Sequence, residues 1–202
     1  MKKFKIICIG DSLTEGDYGI FGERGVADVH SKNYPYYLER LLDAEVLNYG
    51  KCGLTPTTYL EFYKNEKPNV ENADLVIIML GTNGGLDDET DTQGNADFDE
   101  LINLIKEAAP CAKIALCTPP HATTNPKMSN YGFYDKVDKA VKFVRKYSKE
   151  KQLECIDLAT CKLLNDQNEP IMQPNDGLHF TEVGYGVIAL FIRDAIINLF
   201  NC

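Results

Sequence analysis

Short apolar runs alternate with amphipathic stretches along most of the chain. Five runs are apolar enough to be buried strands, at residues 4–9, 46–47, 75–80, 114–117 and 153–156. Because these runs lack polar alternation, they are typical of parallel strands covered on both faces. Apolar residues at helical spacing follow each run, at residues 35–42, 56–63, 97–108, 134–150 and 181–200.

The order of these elements predicts an α/β protein. Five strand–helix units with right-handed crossovers form a three-layer α/β/α sandwich around one parallel sheet. We expect a flavodoxin-like five-stranded sheet with the strand order 2-1-3-4-5. Residues 17–33 and 81–95 are rich in glycine and polar residues and are expected to be loops. No repeat or Pro/Gly/Ser-rich linker interrupts the pattern, so residues 1–202 are predicted to form a single domain.

Polar or glycine residues follow each predicted strand, at the sheet edge where open α/β sheets bind ligands. In chain order these residues are Ser12, Gly53, Asn83, His121 and, after the fifth strand, Asp176 and His179. With strand 1 between strands 2 and 3, Ser12 would lie between the loops that carry Gly53 and Asn83. These positions suit an oxyanion hole built from the N–H groups of Ser12 and Gly53 and the Asn83 amide.

The segment Asp176-Gly177-Leu178-His179 places a carboxylate and an imidazole in one tight turn. An Asp three residues before a His can accept a hydrogen bond from its Nδ1–H, which leaves Nε2 free to act as a base. Strand 5 would lie about 14 Å from strand 1, three strand spacings away. The long segment 158–177 is therefore expected to bring Asp176 and His179 back to Ser12.

Four short blocks occur in one order and at wide separations along the chain. They are Gly10-Asp11-Ser12-Leu13, Gly53, Gly81-Thr82-Asn83, and Asp176 with His179. Together they resemble the blocks of the SGNH/GDSL hydrolases, the GDSL-like lipase/acylhydrolase family. The resemblance implies the SGNH hydrolase fold, with Ser12 as nucleophile, His179 as base and Asp176 orienting His179. It also implies an oxyanion hole of Ser12, Gly53 and Asn83, and neither a metal nor an organic cofactor. Family members are mostly esterases and lipases that act on acyl esters, including acetylated sugars, lysophospholipids and thioesters.

One block departs from the family's pattern, because Gly84 stands where the family commonly has Asp after Asn83. That Asp is not one of the family's catalytic residues, so the departure concerns the geometry of the loop. Asp87 or Asp88 is a candidate for a substitute carboxylate.

Two further residues are candidates for supporting the site or contacting substrate. Asp11 is interpreted as a structural residue whose carboxylate accepts hydrogen bonds from backbone donors around Ser12. His121 has two interpretations, a surface histidine or a substrate contact, and the same two apply to His30. The segment 17–33 follows Ser12 directly and is expected to wall the pocket.

Composition narrows the classes of partner and compartment. The formal net charge of −9 argues against nucleic acid as a partner, since phosphate binding needs a basic surface. The apolar run at 187–200 is interrupted by Arg193 and Asp194 and is too short to cross a bilayer, so no membrane span is expected. Seven cysteines without a Cys-x-x-Cys pair favour a reduced, cytoplasmic protein without disulfides or structural zinc.

The leading hypothesis is a serine esterase that works through an acyl-enzyme intermediate. Few long apolar segments flank the site, which favours short acyl groups, acetyl above all, on a carbohydrate or other small alcohol. A lysophospholipase or thioesterase, and a non-catalytic carbohydrate-binding module on the same fold, are the alternatives. A metal-dependent hydrolase using Asp11, His121, Asp176 and His179 is disfavoured because the chain lacks a His-x-x-x-His pair. The expected partner is a small-molecule or carbohydrate ester, and the oligomeric state is open.

Overall fold

The computed structural model describes residues 3–21, 27–29, 32–87 and 92–200. In chain order its strands are β1 (Lys5–Gly10), β2 (Asp17–Phe21), β3 (Ala27–Val29), β4 (Glu45–Gly50), β5 (Leu75–Met79), β6 (Lys113–Cys117) and β7 (Glu154–Ile156). Its helices are α1 (Ser12–Glu15), α2 (Tyr34–Leu42), α3 (Pro56–Glu66), α4 (Thr92–Ala108), α5 (Phe133–Lys151), α6 (Glu169–Met172) and α7 (Glu182–Phe200). A short 3-10 helix follows β7 at Leu158–Thr160.

Five of the strands form one parallel sheet in the order β4-β1-β5-β6-β7. Counted over these strands alone the order is 2-1-3-4-5, so the predicted topology is confirmed. Gly10 at the end of β1 pairs with Gly50 of β4 and with Met79 of β5. Because the three strands end level, the loops that follow them begin side by side at one edge of the sheet.

Helices cover both faces of the sheet, as predicted for a three-layer sandwich. Successive residues of β1 point to opposite faces. Ile6 and Cys8 lie in a core cluster with residues of α2 and α7, whereas Ile7 and Ile9 lie in a second cluster with residues of α3, α4 and α5. All four side chains are fully buried, which is why the strands read as continuous apolar runs.

Residues 17–33 contain a β-hairpin where the sequence predicted a loop. β2 and β3 pair antiparallel, with Asp17 opposite Val29 and Phe21 opposite Ala27. A distant residue helps to hold the hairpin, since Asn175 donates from Nδ2 to the Tyr18 carbonyl at 2.8 Å. The two strands are short and polar or glycine-containing, so they give little apolar alternation, and the prediction of a loop was wrong for these residues.

The second predicted loop is also shorter than expected, because α4 begins at Thr92 and not at residue 97. The first turn of α4 is polar and contains a glycine, so apolar periodicity does not reveal it. Gln93 donates from Nε2 to Asp97 Oδ1 at 2.8 Å, an i,i+4 contact that stabilises this turn. The other predicted strands and helices are present, with ends that differ by a few residues.

Helix α7 is long and apolar enough, at 19 residues and a mean hydropathy of 1.6 over its best window, to cross a membrane by length and composition. The length argument made from residues 187–200 therefore does not hold, since the helix begins earlier. The inward side of α7 packs against the sheet, with Tyr185, Ile188 and Ile192 in the core. Of the most apolar stretch of α7, 33% is buried inside the protein. The core helix of a soluble protein can be equally long and apolar. The absence of a membrane span stays a prediction.

Candidate active site

Ser12 is the first residue of α1, a single helical turn that follows β1 directly. Asp11 caps this turn, because its Oδ1 accepts a hydrogen bond from the Leu13 N–H at 3.0 Å. Gly16 ends the turn in the left-handed region, at φ 110°. A side chain at Gly10 would lie 2.0 Å from Thr14 Oγ1, so the turn can fold back on β1 only with glycine there. The block around Ser12 is therefore a compact strand-to-helix turn.

A chain of hydrogen bonds joins Asp176, His179 and Ser12. His179 Nε2 lies 2.9 Å from Ser12 Oγ, and His179 Nδ1 lies 2.6 Å from Asp176 Oδ2. Since a carboxylate only accepts, Nδ1 carries the proton, and Nε2 of a neutral ring accepts from the Ser12 hydroxyl. All three residues are buried. The residues predicted from two motifs at opposite ends of the chain thus lie in hydrogen-bond contact.

The Asp176 carboxylate accepts four hydrogen bonds. Oδ1 accepts from the N–H groups of Leu178 and His179, each at 2.9 Å. Oδ2 accepts from His179 Nδ1 and from Asn130 Nδ2, the latter at 2.9 Å. Burial raises the pKa of Asp176, but the His179 contacts and backbone donors outweigh it and hold the pKa below its usual value. Asp176 is therefore a fixed anion beside the imidazole.

The turn between Asp176 and His179 depends on Gly177. Its φ is +78°, a conformation that L side chains rarely adopt. A Cβ at this position would also lie 2.2 Å from Thr123 Cγ2. Glycine is therefore needed at position 177 both for this backbone conformation and for the close approach of the loop after β6.

Gly53 and Asn83 lie on the loops after β4 and β5, on either side of the loop of Ser12. Asn83 donates from Nδ2 to the Leu54 carbonyl at 3.1 Å, and so ties its loop to the loop of Gly53. Within the described residues neither the Ser12 N–H nor the Gly53 N–H donates to a protein acceptor. Gly53 has φ +76°, and a Cβ there would contact nothing within 4 Å, so glycine is needed for its conformation and not for clearance.

Helix α1 also holds the backbone next to Gly53. Glu15 accepts from the Cys52 N–H through Oε2 at 2.6 Å, and its Oε1 lies 3.2 Å from Lys51 Nζ. In addition, Asn48 donates from Nδ2 to the Thr14 carbonyl at 2.8 Å. These contacts attach the loop of Gly53 to the helix that carries Ser12.

Two further carboxylates lie near His179. Asp17 Oδ2 is 3.6 Å from His179 Nε2, and Asp11 is fully buried close by. Burial lowers the pKa of His179, but the bond and charge of Asp176, followed by the charges of Asp17 and Asp11, outweigh it and raise the pKa. The imidazolium form is thus stabilised by negative charge on more than one side.

Burial raises the pKa of Asp11 to about 6. The Leu13 N–H, the Thr82 hydroxyl and N–H, and the charge of His179 all oppose this shift. Asp11 Oδ2 and Thr82 Oγ1 are both buried, and neither makes a hydrogen bond of good geometry. Burial, the largest of these influences, therefore sets the direction of the pKa shift of Asp11.

The hydrogen bonds of His121 are with residues other than Ser12, Asp176 and His179. His121 Nε2 lies 2.8 Å from Asp166 Oδ1, and the His121 carbonyl accepts from Gln173 Nε2 at 2.9 Å. The cleft that His121 lines also contains Tyr134 and Arg145, but none of Ser12, Gly53, Asn83 or His179. The substrate-contact interpretation of His121 gains no support from this geometry. His30 lies outside the described residues.

Gly84 is explained by backbone conformation. Its φ is +93°, and its N–H donates to the Gly81 carbonyl at 2.9 Å in a tight turn. An Asp at this position would be strained. Asp87 does not substitute for it, because its Oδ2 lies 3.3 Å from Lys139 Nζ and its backbone is bonded to the Asn95 side chain. Asp88 lies outside the described residues.

Several residues of the site were not singled out from the sequence. They are Asn130 beside Asp176, Asp17 beside His179, and Glu15 beside Cys52. No motif or periodicity marks Asn130 or Asp17, whereas Glu15 lies only three residues after Ser12, so proximity alone was a signal. Across residues 3–21, 27–29, 32–87 and 92–200, no three His, Cys, Asp or Glu side chains form a group that could hold a metal ion.

Solved structures share the fold of this chain. A lipase/acylhydrolase from Enterococcus faecalis is 24% identical with a TM-score of 0.67, and the match covers 98% of this chain and 97% of that one. A carbohydrate acetylesterase from Sinorhizobium meliloti is 20% identical with a TM-score of 0.74, covering 98% and 100%. An aryl esterase from M. smegmatis is 20% identical with a TM-score of 0.71, covering 98% and 100%. At these identities the similarity shows the fold.

Sequence comparison assigns the family. No curated protein sequence matches the chain. The sequence profile of the GDSL-like lipase/acylhydrolase family matches residues 8–187, a range that contains all four blocks from Ser12 to His179. The resemblance seen in those blocks is confirmed, and the solved structures have the SGNH hydrolase fold expected of the family. The chain belongs to the GDSL-like lipase/acylhydrolase family.

Proposed function

We propose that the chain is a serine esterase that hydrolyses short acyl esters, acetyl above all, of a carbohydrate or other small alcohol. The observation that carries the proposal is the hydrogen-bonded chain from Asp176 through His179 to Ser12. Family membership supports an acylhydrolase in general, and this geometry supports Ser12 as its nucleophile.

In the proposed reaction Ser12 Oγ attacks the ester carbonyl carbon while His179 Nε2 takes its proton. Asp176 stabilises the imidazolium that forms. The carbonyl oxygen becomes an oxyanion, which accepts hydrogen bonds from the Ser12 and Gly53 N–H groups and the Asn83 amide. His179 then gives its proton to the departing alcohol oxygen, which leaves an acyl group on Ser12. A water molecule, deprotonated by His179, attacks this acyl-enzyme and releases the acid and free Ser12.

The short acyl group and polar alcohol are supported by the polar character of the site. Asp11, Asp17 and Asp176 all lie around His179. One protein of the same fold is a carbohydrate acetylesterase. Lysophospholipase or thioesterase activity is the alternative within the family. Faster hydrolysis of p-nitrophenyl octanoate than of the acetate would favour that alternative over the short-chain proposal.

The proposal is tested by two substitutions in the site. Ser12→Ala should abolish hydrolysis of p-nitrophenyl acetate and labelling by a fluorophosphonate, with the fold intact. Asn83→Ala should lower kcat by roughly a hundredfold or more, which is the usual effect of losing one oxyanion donor. Asn103→Ala, at an exposed amide bonded to Asp99, is the matched control and should keep wild-type activity. Steady-state kinetics and circular dichroism provide the measurements.

A wild-type protein with neither hydrolysis nor fluorophosphonate labelling would contradict the proposal. If such a protein still bound acetylated sugars, the non-catalytic carbohydrate-binding module would be the better description.

The six cysteines in the described residues are free thiols, as a reducing compartment maintains them. The cytoplasmic location stays a prediction.

A further inference from the structure

Asp17 begins strand β2, directly after the residue that ends α1. Its two carboxylate oxygens have different surroundings. Oδ1 accepts from the Gly19 N–H at 2.8 Å and so shapes the start of the hairpin. Oδ2 lies 3.6 Å from His179 Nε2 and 3.9 Å from Cys52 Sγ. One oxygen therefore has a structural partner, and the other faces the proposed catalytic base.

The Oδ2 atom has acceptor capacity that the protein does not fill. Its donor among the described residues is the Cys52 thiol, and a thiol is a weak donor. Lys51, next to Cys52 in the chain, is paired with Glu15 instead. A carboxylate this deeply buried normally accepts several strong hydrogen bonds, since burying a charge without them is costly. Asp17 is thus built to receive another donor.

The position of Asp17 points to the alcohol part of the substrate. His179 Nε2 delivers a proton to the departing alcohol oxygen, so that oxygen must lie within hydrogen-bond distance of Nε2. Asp17 Oδ2 lies beside the same nitrogen. The side chains of His179 and Asp17 are 11% and 7% exposed, and a ligand atom within reach of Nε2 is close to Oδ2 because these two atoms are 3.6 Å apart.

We infer, on the basis of the esterase proposed above, that Asp17 is a specificity-determining residue for the departing alcohol. Its Oδ2 accepts a hydrogen bond from a free hydroxyl on the carbon next to the ester-bearing carbon. The substrate class is then a monoester of a neutral 1,2-diol, as in a partly acylated sugar or polyol. Anionic alcohols are disfavoured, because the carboxylate would repel a second negative charge.

Two small esters test the inference in the wild-type protein. 2-Hydroxyethyl acetate and 2-methoxyethyl acetate are similar in size, but only the first can donate to Asp17. We expect kcat/KM to be about tenfold or more higher for the hydroxyl compound, the range for a hydrogen bond to a charged group. The assay is run on the alkaline plateau of the measured pH profile, where the proposed base is neutral.

The variant Asp17→Asn should bring the ratio of the two kcat/KM values close to one. Asn keeps an oxygen that can accept from the Gly19 N–H, so the hairpin retains this bond. Asp194→Asn removes the same charge at an exposed site bonded to Arg193 and should keep the wild-type ratio. Urea unfolding verifies that both variants fold.

The outcomes separate this inference from the proposed function. Equal kcat/KM values in the wild type, with p-nitrophenyl acetate still hydrolysed, would overturn the role of Asp17 alone. An unchanged ratio in Asp17→Asn would do the same. A preference for acetylcholine over 2-hydroxyethyl acetate would show that Asp17 reads a cation and not a hydroxyl. No hydrolysis of any ester would overturn both the inference and the esterase.

Discussion

His179 is surrounded by carboxylates, and this should be visible in the pH dependence of the reaction. The pKa of His179 is raised above 6.5, although burial alone would lower it, because Asp176, Asp17 and Asp11 favour the charged ring. In the proposed reaction His179 must be neutral to accept a proton from Ser12. We therefore expect kcat/KM for p-nitrophenyl acetate to fall as the pH drops through a pKa above 6.5.

Asp17→Asn should move this acidic limb to lower pH, since removing a negative charge makes the imidazolium less stable. The limb is measured from kcat/KM between about pH 5 and pH 9, because that ratio reports the free enzyme. Asp194→Asn should leave the limb where it is. A limb that does not move in Asp17→Asn would mean that Asp17 has no effect on the charge of His179.

Asp11 is a second residue whose ionisation should be measurable, here in stability. Its pKa rises from 3.8 to about 6 on folding, so the folded chain holds the proton more tightly than the unfolded chain. The contribution of the protonated form to stability is full below pH 3.8 and is lost as the pH rises through about 6. The loss amounts to roughly 3 kcal/mol.

Asp11→Asn should therefore raise the free energy of unfolding at pH 8 by up to about 3 kcal/mol, and by little at pH 4. Asn keeps an oxygen to accept from the Leu13 N–H, so the cap of α1 is retained. Urea unfolding at both pH values gives the difference. The exposed control Asp194→Asn should show no such gain, and a variant of Asp11 that is less stable at pH 8 would contradict the expectation.

The β2–β3 hairpin covers Asp176, the carboxylate bonded to His179. Gly19 has φ +68°, and a Cβ there would lie 2.6 Å from the Asp176 carboxylate. The hairpin is held close by Asn175, which donates to the Tyr18 carbonyl at 2.8 Å. The backbone of β2 thus approaches Asp176 as only glycine allows, and it contributes to the burial that strengthens the Asp176–His179 contact.

We therefore expect the main effect of Gly19→Ala to be on kcat, with a smaller effect on the free energy of unfolding. The left-handed conformation costs an alanine about 1–2 kcal/mol. The clash displaces Asp176 or the hairpin, and a misplaced catalytic group can lower kcat by roughly tenfold to a hundredfold. Gly132→Ala is the control, because its φ is −72° and nothing lies within 4 Å of an added Cβ. Wild-type kcat in Gly19→Ala would contradict the prediction, because it would show that the hairpin accommodates an added methyl group without displacing Asp176.

Over the molecule as a whole, the sheet is what assembles the site. β1 lies between β4 and β5, and the three strands end level, so the loops of Ser12, Gly53 and Asn83 are neighbours by topology. Asp176 and His179 follow β7 at the far edge of the sheet, and the connection through α6 brings them back. Strand order thus brings the loops of Ser12, Gly53 and Asn83 together, and a long connection brings Asp176 and His179 to them.

Much of this arrangement was predictable from the sequence. Continuous apolar runs identify buried parallel strands, and crossovers of one hand limit their order, so the fold class and strand order follow from local patterns. Ser12, Gly53 and Asn83 stand in short blocks soon after a strand, and Asp176 and His179 stand together in one turn. Such a pattern can be recognised in the sequence because each element is encoded by residues that are neighbours in the chain.

Other features of the site depend on how distant segments of the chain pack together. Asn130 bonds to Asp176, 46 positions away, and Asp17 faces His179 across more than three quarters of the chain. Polar contacts between such distant residues leave no periodicity, because each partner is an ordinary loop or strand-end residue on its own. The same holds for Gly19, whose need for glycine comes from the carboxylate packed against it. Local patterns along the chain thus specify the sheet and the blocks at its edge. Which further side chains surround His179 depends on tertiary packing, because their positions are set by how separate segments of the chain pack.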